Sequence, residues 1–247
     1  MKHIYFVLLH KLFVSKRFYI WLLILIGLGI KTAVQESNPL KTTEDAILTV
    51  YYQIAHPLVM NWFIIPCFLF LLGIVTNVFH RNQIILKYSY SNTWWKDQTV
   101  VLLLLSLLHT FAIHTVIAGV AVTRGGMESL TNDFILFLGL SSTMQVLGFT
   151  LLGVGYYVIT LLTNSYIGFF ATILFINFVD VVKRLLKLEF NTLQEYMSAS
   201  FYTGKPGTIM TLETIHLFTL SSFLLVAVLL YFIGNILSHE KDYFWSR

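Results

Sequence analysis

Charge is the scarcest feature of this chain. Of its 247 residues, 16 are Lys or Arg and 12 are Asp or Glu, so 11% are charged while 57% are hydrophobic. Soluble domains carry roughly 25% charged residues, and so small a charge complement cannot dress a water-facing surface of 28.4 kDa. This excludes a soluble enzyme, a disordered regulator and a free nucleic-acid binder. Cysteine is nearly missing as well. Cys67 stands alone in an apolar run, which rules out an intrachain disulfide and a cysteine metal cluster.

Catalytic signatures are missing too. Thr203-Gly204-Lys205-Pro206-Gly207-Thr208 is no phosphate loop, because Pro206 stands where Ser or Thr should follow Gly-Lys and the earlier glycine is lacking. No Gly-x-Ser-x-Gly, Gly-x-Ser-Gly, His-Glu-x-x-His or Gly-x-Gly-Asp pattern occurs. The chain is therefore expected not to be an enzyme and to hydrolyse no ATP by itself. No carboxylate falls near the middle of any apolar run, which argues against proton-coupled carriage.

What is present is long apolar sequence, with a mean hydropathy of +0.75. A spanning helix needs about 20 apolar residues, and six such runs fit at about 18–34, 57–79, 99–123, 134–162, 166–182 and 215–237. The expected fold is an all-α polytopic membrane protein with one transmembrane domain over 1–247. No charge occurs from Phe134 to Val179. A single helix of that length would measure about 69 Å, twice the hydrocarbon thickness, so the run must fold back. Thr163-Asn164-Ser165 is the place for it, since short polar side chains compete for local backbone bonds. Pro66 predicts a kink in the second span.

The segment Met1 to Arg17 holds Lys2, Lys11, Lys16 and Arg17 with no acid, interleaved with apolar residues. It reads as an amphipathic helix in the membrane interface. Signal cleavage is not expected, because Lys31 would occupy a position that wants a small residue. The net charge of +4 is read as a topology signal rather than as affinity for nucleic acid. With six spans and a basic start, both termini are expected in the cytoplasm and the protein in the cell membrane. Between spans five and six, Leu186, Phe190, Leu193 and Met197 recur at helical spacing. A short amphipathic helix within Lys183–Tyr202, lying at or dipping into the outer interface, is expected.

His109 and His114 lie five residues apart, about 140° around a helix, so they do not share a face for chelation. Each is expected to pack inward as a hydrogen-bonding side chain, and no metal or cofactor site is assigned. Asp180, at the end of span five, has Lys183 and Arg184 at i+3 and i+4 for local pairing. The segment His80 to Asp97 stands apart. Arg81, Lys87 and Lys96 anchor it to the interface, while Ile84, Ile85, Leu86, Tyr88 and Tyr90 form a short apolar-aromatic surface. Trp94, Trp95 and Lys96 read as interface anchors opening span three. The surface is either an interfacial belt or a docking face.

This order of parts resembles the permease of a type-two ABC transporter, the six-helix exporter class. An N-terminal amphipathic helix matches Lys2 to Arg17, and a coupling helix between spans two and three matches Ile84 to Asn92. The tight inner turn matches Thr163 to Ser165, and a longer outer segment matches Lys183 to Thr214. The chain departs from the pattern at His80-Arg81, which stand where an acidic residue often precedes the coupling helix. The resemblance implies an exporter of peptides, drug-like or amphiphilic substrates, closest to bacterial peptide-export or bacteriocin-immunity systems. It also implies a separate ABC ATPase subunit that binds the ATP, and a second permease, identical or related, in contact with membrane lipid. A non-transporting assembly or regulatory subunit, and a haem or quinone redox subunit, remain alternatives from the residues alone.

Overall fold

A computed structural model describes residues 10–34, 50–80, 88, 90–125, 132–188, 192–198 and 217–240. Those residues form helices and turns, with no strand among them. Helix α1 spans Lys16–Val34, α2 Val50–Phe79, α3 Ser91–Gly125, α4 Asn132–Leu162, α5 Ser165–Leu186, α6 Leu193–Met197 and α7 Leu217–Glu240. All except α6 are long and apolar enough to cross a membrane, six in total among the described residues. The chain is an all-α polytopic protein of six membrane-compatible helices.

Residues 1–9 of the expected amphipathic start lie outside the described residues. Residues 10–14 are helical and separated from α1 by Ser15, whose hydroxyl accepts the Arg17 N–H at 3.3 Å. Helix α2 starts before Pro57, with its first turns burying Val50, Tyr51, Ile54 and Ala55. His56 interrupts it, the ring Nδ1 accepting the Leu58 N–H at 3.2 Å. Just ahead of Pro66, where a kink is expected, the helix makes a π-helical turn at Met60–Ile64, closed by the Ile65 N–H on the Met60 carbonyl. Proline brings no N–H, and its ring crowds the carbonyl four residues back. A wide turn just ahead of it accommodates both.

Helix α3 runs 35 residues, about 52 Å at 1.5 Å per residue, well beyond the hydrocarbon thickness. It begins eight residues before the expected Thr99, because Ser91, Trp94, Trp95, Asp97 and Gln98 are buried by protein rather than by lipid. The turn between α4 and α5 falls where short polar residues placed it. Asn164 is extended at φ −141° and ψ 170°. Its Oδ1 accepts the N–H groups of Tyr166 and Ile167 at 3.1 and 2.9 Å, a cap worth about 1 kcal/mol.

Packing sorts the helices into two groups. In the spanning windows of α2, α3 and α4, 61%, 50% and 61% of residues are buried, against 22%, 17% and 11% in α1, α5 and α7. The first three are therefore the core, with α4 touching α2, α3, α5, α6 and α7. The others turn apolar side chains such as Leu23, Phe170, Leu174 and Leu229 outward, the inverse of a soluble bundle. Polar bonds cross the interior. Trp21 Nε1 donates to His109 Nδ1 at 2.8 Å, His114 Nε2 meets Ser141 Oγ at 3.0 Å, and Asn61 Nδ2 donates to Asn177 Oδ1 at 2.6 Å. Such bonds hold membrane helices together where no hydrophobic drive exists between them.

The start of α1, the end of α2, the start of α3, the α4–α5 turn and the end of α7 gather at one end of the bundle. Ser91 Oγ meets His239 Nδ1 at 2.8 Å, and Ser165 Oγ lies 3.5 Å from Asn77 Oδ1. This is the turn end. At the opposite end the Arg124 guanidinium donates to the Thr32 carbonyl.

Candidate functional site

Two places concentrate polar chemistry: the junction at the turn end, and the fold-back of α6. Of the expected coupling surface, Arg81, Ile84, Ile85, Leu86 and Lys87 lie outside the described residues. Tyr88 is buried, and its hydroxyl donates to Asp97 Oδ2 at 2.9 Å. Tyr90 is exposed. Ser91 and Asn92, expected to end a short helix, instead form the first turn of α3. The segment thus leads straight into a long rigid element.

Trp94 and Trp95 correct the interface-anchor reading. Both are buried in protein, while Lys96 of the same turn is exposed. Trp94 Nε1 donates to the Phe79 carbonyl at 3.2 Å, at the end of α2, and its ring lies 5.5 Å from that of His80. Trp95 Nε1 donates to the Tyr231 carbonyl of α7 at 3.1 Å. Its ring lies over Gly234, where a Cβ would stand only 2.2 Å from Cζ2. Two indoles that read as lipid anchors are clamps between helices. The signal that could have separated the two readings is Gly234, a glycine set among the bulky residues Leu229 to Ile236 of that span.

At the other site, Lys187 closes α5 in a left-handed conformation, φ 50°, and the chain turns back. This corrects the expectation of one continuous amphipathic face. Leu186 is exposed while Met197 is fully buried, and Phe190 lies outside the described residues. Helix α6 carries a capping box. Thr192 Oγ1 accepts the Glu195 N–H at 3.4 Å, and the Glu195 carboxylate accepts the Thr192 N–H at 2.8 Å. The Thr-x-x-Glu spacing was readable in the sequence.

Helix α6 does not cap the helix tips; it lies alongside them. Gln194 Nε2 donates to the Ile176 carbonyl at 3.3 Å, ten residues and about 15 Å before the end of α5. Met197 fills the space over Gly148, where a Cβ would meet its Cγ at 2.3 Å. Tyr196 packs on Phe223 with ring centroids 4.8 Å apart. Lys183 reaches across to Glu195 at 2.5 Å, so the pairing of Asp180 falls to Arg184 alone, at 2.9 Å.

No known protein family, no curated protein and no solved structure matches this chain.

Partial burial alone would raise the Glu195 pKa. Hydrogen bonds from Lys183 and from the Thr192 N–H, with the Lys183 charge, outweigh it and hold the carboxyl below its ordinary value. A depressed carboxyl stabilises the fold above its unfolded pKa, and that contribution is lost as pH falls through the folded one. Glu195→Gln should therefore lower the thermal midpoint at neutral pH. The gap to wild type should close below about pH 4, where a free glutamate is protonated. A gap that persists unchanged into that range would show that the carboxylate charge is not what seats α6.

His109 and His114 take the hydrogen-bonding roles expected of lone intramembrane histidines. They serve different partners, with His109 against Trp21, Phe68 and Phe149 and His114 between Thr110 and Ser141. Among the described residues, no group of three or more His, Cys, Asp or Glu is placed to hold a metal. Interior polar capacity is nonetheless left over. Thr110 Oγ1, Asn61 Oδ1 and both amide atoms of Gln145 are buried with no hydrogen-bond partner among the described residues. Buried polar atoms are normally satisfied, so these are the groups able to engage water or the polar part of a guest.

Proposed function

We propose that the chain is the transmembrane subunit of an ATP-driven exporter, resembling the type-two ABC permeases. It would work with a separate ATPase subunit and a second permease, its own copy or a relative. The observation that carries this reading is the junction at the turn end. The segment after α2 is tied by Tyr88 to Asp97, and by Ser91 to His239, at the head of a 35-residue helix. A push on that segment would pass into α3 and α7 together, the property a coupling element needs. The tight Asn164 turn at the same end and the folded-back α6 between α5 and α7 support the same layout. The spare interior polar groups suit an amphiphilic passenger, and the basic N-terminal segment favours the turn end as cytoplasmic.

Tyr88 itself is committed to Asp97, so the docking face falls to the neighbouring residues Ile84 to Lys87 and to Tyr90. The test is co-purification and reconstitution with a separate ABC ATPase from the same cell. The chain alone should hydrolyse no ATP, and the pair should form a stable complex with substrate-responsive hydrolysis. Tyr88→Phe, which keeps the ring and loses the Asp97 bond, should leave the complex assembled and reduce that response severalfold, on the scale of one buried hydrogen bond to a charge. Nucleotide hydrolysis by the rigorously purified single chain, or a Tyr88→Phe complex responding as wild type does, would sink the reading.

A further inference from the structure

We infer that the turn end carries a binding cleft for the phosphate head of an anionic phospholipid. The cleft, of about 330 Å³, lies between the Ser15 break and the last turns of α2, and is lined by Lys11, Val14, Ser15, Arg17, Ile74, Asn77 and Val78. Its volume is at the lower end of small-molecule sites. The lining divides by chemistry. Lys11, Arg17, Ser15 and Asn77 offer two cations, a hydroxyl and an amide, while Val14, Ile74 and Val78 offer branched aliphatic surface. That combination matches an amphiphile with an anionic head and a hydrocarbon tail.

The electrostatics point the same way. Arg17 is half buried, and its guanidinium lies over Gly73, where even a Cβ would come within 3.2 Å of Nη1. Glycine therefore makes room for this cation against the bundle. Among the described residues, no carboxylate lines the cleft, and neither ion pair includes Arg17 or Lys11. A cation drawn out of water onto an apolar bundle calls for a counter-charge. An arginine fork matches phosphate oxygens in pairs, and each basic residue near an anionic leaflet adds to retention. The break at Ser15 lies between Lys11 and Arg17, and both cations line the one cleft. The inference needs only the membrane-spanning fold and stands apart from the transport reading.

The experiment is native mass spectrometry of the full chain released from nanodiscs of equal phosphatidylglycerol and phosphatidylcholine. Wild type should retain phosphatidylglycerol preferentially. The double variant Lys11→Gln/Arg17→Gln should lose that preference, a drop on the order of tenfold for two charges. Arg17→Lys should keep part of it, and Lys31→Gln, at the far end of α1, all of it. Lys11 is exposed, so Lys11→Gln alone tests the cleft without threatening the fold, and retention should fall severalfold. Equal retention of both lipids, or unchanged retention in Lys11→Gln and the double variant, would overturn the proposal. Displacement of phosphatidylglycerol by millimolar inorganic phosphate would overturn the lipid assignment and leave a free-anion site instead.

Discussion

Trp95→Ala should destabilise the bundle by about 3 kcal/mol, the low end of the range for deleting a buried tryptophan. The low end applies because an indole released from a membrane bundle moves into lipid rather than water, so mainly packing is lost. That packing is extensive. Trp95 is fully buried, touches the Tyr157 and Tyr231 rings at 6.4 and 6.2 Å, and lies directly on Gly234. Gly234→Leu should be damaging too, since its first side-chain carbon would already sit inside the indole. The two residues share one space, so their effects should not add. Trp95→Ala/Gly234→Leu should recover part of the loss, as coupled neighbours do. Reversible unfolding in detergent mixtures reads all three variants. A Trp95→Ala change below about 0.5 kcal/mol, the level of an ordinary surface substitution, would refute the clamp.

Gly148→Leu should release α6 while leaving the membrane helices in place. Leucine is a better helix former than glycine, so α4 itself gains. The loss falls on Met197, whose Cγ and Sδ stand 2.3 and 2.6 Å from the new Cβ position and must move with the five-residue helix that carries them. Overpacking of this kind costs about 1–3 kcal/mol. Ser198 is fully buried beside Glu195 and would become reachable. In a Cys67→Ser background, a thiol probe at Ser198→Cys should react roughly tenfold to a hundredfold faster, following from that free energy at 1.4 kcal/mol per decade. Met197→Ala should restore much of the protection by returning the space. Unchanged labelling in Gly148→Leu would mean that α6 is held by its ion pair and amide contacts rather than by this seat.

The difference between these residues and their sequence-level reading is one of range. Apolar runs and charge gaps located all six spans, because a membrane-compatible helix is a local property of composition. The Asn164 turn was readable for the same reason, its bonds reaching only two and three residues ahead. Helix ends were misplaced at Val50 and Ser91, where burial by other helices carries α2 and α3 beyond their most apolar stretches. Trp94 and Trp95 were misread because their role depends on Phe79, Tyr231 and Gly234, which sequence spacing does not bring near. Within α6, the capping box was legible and the fold-back was not. It depends on the left-handed Lys187, and on Gly148 from a helix that ends thirty residues earlier.

The wide sequence separation between Trp95 and Gly234 also sets an order of assembly. Helices α2, α3 and α4 are consecutive, so the His114–Ser141 bond and the aromatic cluster about His109 can close while the rest is still being synthesised. The indole of Trp95 meets Tyr157 of α4 in that early group, but its other face and its N–H wait for α7. That cover arrives only with Gly234, on α7, more than a hundred residues after Trp95 in sequence. Until then one face of the ring and its N–H are uncovered at the head of α3. Insertion of α7 therefore closes this side of the bundle, and a chain cut short before it presents that open side to quality control.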